Sequence, residues 1–117
     1  MTQKSNIQVS SGNVFADLNL HNPDKMLIKA ELVRQIGEII NKQNLTQIET
    51  AELLGIDQPK VSALLRGKIT GFSLERLFRF LNALDRDVEI VVKSKPKTRK
   101  EAQIKVVEKN SHNLKHK

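Results

Sequence analysis

The chain has no cysteine, so neither a disulfide framework nor a thiolate metal site is open to it. Its three histidines, His21, His112 and His116, have no second ligand at helical or turn spacing, which sets aside a metal centre. Tryptophan and tyrosine are absent, and the aromatics are four phenylalanines. A base-stacking platform wants aromatics on an exposed sheet, so Phe78 and Phe80 read as core or interface residues. No apolar run approaches membrane-spanning length, and the opening "MTQKSNIQVSSGN" lacks an apolar leader core. The expected setting is therefore cytoplasmic, without a membrane partner. Nucleophile–base–acid logic and a glycine-rich phosphate cradle are missing as well. The carboxylates Glu49, Glu52, Glu75 and Glu89 are dispersed, each with a cap, dipole or surface explanation. No catalytic residue, cofactor or small-molecule substrate is expected.

What is present fits one domain of 117 residues with a modest core, since 38% of the residues are hydrophobic. The net charge of +7 is unevenly spread. Residues 1–92 hold 11 basic and 11 acidic groups, whereas residues 93–117 hold 9 basic groups against Glu101 and Glu108. The basic character belongs to the tail, so nucleic-acid binding by the folded part has to rest on the placement of particular residues.

Three regions follow. Residues 1–22 form an N-terminal arm, too apolar for a free linker and expected to dock on its own domain or a partner. Residues 23–93 form the helical domain. Residues 94–117 form a basic tail, expected to be mostly disordered, whose roles would be solvation, a non-specific phosphate anchor or folding on a partner.

Within the domain, Pro23 and Asp24 open a helix whose Leu27, Ile28, Leu32, Ile36, Ile39 and Ile40 form one stripe to about Asn44. Thr46 and Glu49 make a capping box. The helix after it should bury Ile48, Ala51 and Leu54 and stop at Gly55 in a left-handed conformation. Ile56 anchors the turn, Asp57 caps the next helix and Pro59 occupies its first turn, where a missing N–H costs nothing. Val61, Leu64 and Leu65 face inward as far as Gly67. Ser73 caps a fourth helix with Leu74, Leu77, Phe78, Leu81 and Leu84 as its stripe and Arg76 and Arg79 outward. In "VEIVVK", Val88, Ile90 and Val92 alternate as a strand, which must pair with the arm or with a second copy of the chain.

Two short helices around a glycine turn fit the helix-turn-helix, whose second helix enters the DNA major groove. On the helix from Gln58 to Arg66, Pro59, Ser62, Ala63 and Arg66 lie opposite the apolar side, and Gln58 and Lys60 flank them at the N-terminal end that reaches base edges. Gln58 can pair bidentately with adenine and Lys60 can donate to guanine. Pro59 can touch a thymine methyl, and Ser62 completes the base-contact set. Thr46 and Gln47, at the start of the supporting helix, are assigned to phosphate, with Arg66 and Lys68 as further backbone clamps. A plain helical hairpin with a solvated face is the competing reading of any single feature.

The stretch "LTQIETAELLGIDQPKVSALLRGK" resembles the helix-turn-helix of Xre/Cro-type regulators, with T-Q, A-x-x-L-G, Q-x-x-V-S and a final G. These are Thr46, Gln47, Ala51, Leu54, Gly55, Gln58, Val61, Ser62 and Gly67. The flanks "SGNVFADL" and "FSLERLFRFLNALDRDVEIVV" resemble one subgroup, the HigA-like antitoxins of type II toxin–antitoxin pairs, so the likeness spans about residues 11–93. It implies an all-α, lambda-repressor-like bundle of about four helices plus one C-terminal β-strand paired across a homodimer. It further implies a nucleoid-associated repressor on double-stranded DNA with a palindromic operator, and a cognate ribonuclease toxin as second partner. A stand-alone Xre-type regulator is the alternative. One departure from the family is that residues 1–92 are not net basic, so non-specific DNA affinity would lean on the tail.

Overall fold

The computed structural model describes residues 22–109. Of the expected arm only Asn22 falls inside that range. Residues 1–21 and 110–117, with all three histidines, lie outside it.

Four helices follow in order among the described residues: α1 Asn22–Lys42, α2 Gln47–Leu54, α3 Gln58–Leu65 and α4 Leu74–Ala83. Their starts are written in the sequence. Thr46 Oγ1 accepts from Glu49 N–H at 3.0 Å while Glu49 Oε1 accepts from Thr46 N–H at 2.8 Å, the reciprocal capping box. Asp57 Oδ1 accepts from Lys60 N–H at 3.0 Å and Ser73 Oγ from Arg76 N–H at 3.2 Å.

Their ends share one device. Asn44, Gly55, Gly67 and Asp85 are all left-handed, with φ of 56°, 73°, 82° and 64°. The residue after each donates its N–H back five positions: Leu45 to Ile40 O, Ile56 to Ala51 O, Lys68 to Ala63 O and Arg86 to Leu81 O, at 2.9–3.1 Å. This is the Schellman closure, which satisfies carbonyls that a helix end leaves open. It turns the chain sharply four times and lets four short elements share one core.

α1 packs against α3 and α4, and α2 packs against the same two. The core takes Ile28, Leu32, Val33, Ile36, Ile39 and Ile40 from α1, and Leu54 and Leu64 from the central pair. Leu74, Leu77, Phe80 and Leu81 come from α4, completed by Phe72 and Leu84. Each apolar stripe is rotated slightly from its expected setting. Val33 is buried and Leu27 is exposed; Thr50 is fully buried, with its hydroxyl donating to Thr46 O at 2.8 Å, and Ile48 is exposed. Leu65 is also exposed rather than inward. Phe80 enters the core alongside the half-buried Phe78 because Phe72 receives it edge-to-face, ring centroids 5.7 Å apart.

The expected strand is not formed among the described residues of the single chain. Residues 88–92 run without a ladder partner: Val88 packs on the core, and Ile90, Val91 and Val92 are exposed. A strand exists only as half of a pair, and one copy of the described chain supplies no second half.

Candidate nucleic-acid interface

The turn of residues 55–57 joins α2 to α3 and decides what α3 shows. Gly55 closes α2, Ile56 tucks half-buried against the core, and Asp57 restarts the chain. Val61 and Leu64 are then fully buried beneath α3. Their spacing of three forces the rest of the first turn outward, and Gln58, Pro59 and Lys60 are all exposed. Pro59 at the second helical position removes an N–H that would have no intrahelical partner. Asp57 spends its carboxylate on the Lys60 amide, so the rim's one acidic group is turned to its own helix.

The remaining sequence-assigned residues fall as follows. Thr46 and Gln47 are exposed at the start of α2, but the Thr46 hydroxyl oxygen is occupied by the Glu49 amide, which leaves Gln47 the freer side chain. Arg66 and Lys68 are exposed beyond the end of α3. Ser62 is half-buried, and its Oγ accepts from Arg66 Nη1 at 2.9 Å, so it stands apart from the open rim. Among the described residues, ion pairs join Arg34 to Glu31, Glu38 and Glu108, and Arg79 to Glu75. Lys60, Arg66 and Lys68 therefore carry charge that no carboxylate of the described residues neutralises, around the same helix pair as the exposed amides. Such a rim can donate to base edges at its N-terminal end and to phosphate oxygens around it.

Sequence reasoning missed two neighbouring features. Arg76 is not simply an outward cation: its guanidinium sits 5.6 Å from the centroids of both Phe72 and Phe80. Arg34 of α1 lines a shallow groove of about 370 Å³ together with Arg66 and Gly67. The Ser62–Arg66 bond did have a signal, since residues four apart share a helix face. The Arg34 groove had none, because it depends on how α1 packs.

Residues 14–93 match the profile of a helix-turn-helix domain family. The chain belongs to that family. A solved structure described as an XRE-family transcriptional regulator is 45% identical over 76% of this helix-turn-helix chain and 100% of its own, with a TM-score of 0.73. That likeness makes the chain an Xre-type helix-turn-helix protein. No curated protein matches it. Among its described residues, no helix is long and apolar enough to cross a membrane.

Proposed function

We propose that this protein is a sequence-specific transcriptional repressor that reads DNA through the N-terminal rim of α3. The observation that carries the reading is the division of α3 into a buried side, Val61 and Leu64, and an exposed start, Gln58, Pro59 and Lys60. In this role Gln58 pairs with adenine, Lys60 donates to guanine and Pro59 contacts a thymine methyl, while Ser62 supports the set. Gln47, Thr46, Arg66 and Lys68 hold the flanking phosphates. The XRE-family regulator it resembles supports the same direction.

The protein acts as a homodimer on a palindromic operator. Two copies joined through Val88, Ile90 and Val92 set their recognition helices about one DNA turn, roughly 34 Å, apart. The exposed Ile90 and Val92, on backbone without a ladder partner among the described residues, support that pairing. The likeness of its flanks to HigA-like antitoxins supports a second role, autoregulation as the antitoxin of a ribonuclease toxin encoded alongside it.

The test is binding to the DNA upstream of its own reading frame, scanned one base pair at a time. Gln58→Ala should lose about 1–3 kcal/mol at one base pair and relax specificity there, whereas Lys68→Ala should weaken all sequences about equally. A uniform loss from Gln58→Ala would remove the base-reading assignment. Co-expression with the adjacent frame, followed by pull-down, tests the antitoxin role.

A further inference from the structure

We propose that residues 93–109 are a second DNA-contacting surface, a loop that takes duplex phosphates without regard to sequence. The proposal rests on the DNA-binding reading above and adds a site remote in sequence from α3.

The loop is pinned at both ends. Val88 before it and Val106 near its end pack on the same hydrophobic core. Between them the chain reverses at Pro96–Arg99. Arg99 N–H donates to Pro96 O at 3.2 Å, Lys95 Nζ donates to Pro96 O and Arg99 O, and Arg99 Nη1 donates to Glu101 O at 3.1 Å. Beyond Val106, Glu108 Oε1 lies 3.5 Å from Arg34 Nη2 on α1. Both side chains of that ion pair are about half exposed, so it orients the returning chain while Val106 does most of the holding. Arg34 lines the same groove as Arg66 and Gly67, which brings the end of the loop to the C-terminal side of the recognition helix.

The charge of this loop is uncompensated. It holds seven cations against Glu101 and Glu108, and none of the seven is within ion-pair distance of a carboxylate of the described residues. Lys97, Lys100 and Lys105 are exposed, and among the described residues their side chains make no hydrogen bond, unlike Lys95 and Arg99. Residues 1–92 are balanced at zero, so the chain has concentrated its attraction for a polyanion here. An array of free cations on a loop whose far end is held at Arg34, in the groove shared with Arg66 and Gly67, complements duplex phosphates. An acidic protein would satisfy the charge equally well but would gain nothing from its nearness to α3.

The experiment compares the full chain with K97Q/K100Q/K105Q by fluorescence anisotropy, on the upstream duplex and on a scrambled duplex, across a series of salt concentrations. Each lost phosphate contact removes about 0.9 from the slope of log K against log salt. The triple variant should therefore be shallower by about 2–3 on both duplexes, with the preference for the upstream duplex unchanged. An unchanged slope on both, with upstream binding retained, overturns the proposal and leaves the α3 reading standing. Failure of the unmodified chain to bind either duplex removes both. If the substitutions change only the capture of an acidic protein, the loop is a protein-docking site and the proposal falls.

Discussion

Arg66 Nη1 donates a 2.9 Å hydrogen bond to Ser62 Oγ, one turn earlier on α3. The bond ties the side chain proposed to clamp the DNA backbone to one that the helical wheel assigns to base reading. Neither residue acts alone.

Ser62→Ala and Arg66→Ala should consequently be non-additive in DNA affinity. The double variant should lose little more than Arg66→Ala by itself, with a coupling of about 0.5–3 kcal/mol in a double-mutant cycle. Simple additivity would show that the two side chains part on the duplex.

The four helix ends make a prediction of opposite signs. Gly55→Ala puts a Cβ into a left-handed backbone with no atom beyond its chain neighbours within 4 Å, so its cost is conformational, about 1–2 kcal/mol in urea unfolding. Asp85→Gly relieves the same strain at the end of α4 and should stabilise by about half a kcal/mol, the residual after glycine's own entropy cost.

Core membership separates two residues that composition treats alike. Phe80→Ala should cost about 3–5 kcal/mol, because it empties the site against Phe72 and beneath Arg76. Ile48→Ala, on the exposed side of α2, should stay within about 0.5 kcal/mol. Chemical denaturation of both variants measures the contrast.

Stability should respond to acid through Glu31. Its carboxyl is held below the ordinary range, first by the hydrogen bond from Arg34 and then by that from Gln35, against a smaller opposing effect of burial. A carboxyl that releases its proton more readily when folded adds stability above its unfolded value. That stability is lost as pH falls through the lower folded value. Glu31→Gln should therefore melt below the parent at neutral pH, and the two curves should converge in acid.

Local chemistry made the caps legible in advance. Thr46 with Glu49, Gly55, Asp57 with Pro59, and Ser73 each act within a few residues, and each sits where its spacing puts it. Rotation of the short helices was not legible. Across eight residues of α2, Ile48 and Thr50 compete for the inward position, and the threonine wins because its hydroxyl can bond Thr46 O while its methyl packs. In α4 the burial of Phe80, expected as core or interface, did hold, and it is completed by a partner outside the helix, Phe72. The return of Val106 and Glu108 to the body spans more than 60 residues from Arg34, and no local pattern encodes it. At the candidate interface, the exposure of Gln58 and Lys60 followed from periodicity, and the four-residue spacing of Ser62 and Arg66 signalled their bond, whereas the groove that Arg34 shares with Arg66 depends on how α1 packs.

The uncovered run Ile90–Val92 has a consequence for the life of the isolated protomer. Three branched apolar residues on backbone with no ladder partner among the described residues are a template on which an extended chain can add itself, the first step towards amyloid-like growth. Glu89 before them and Lys93 and Lys95 after them act as gatekeepers, limiting the run by repulsion. Replacing those three charges with neutral residues would leave the run open to repeated strand addition.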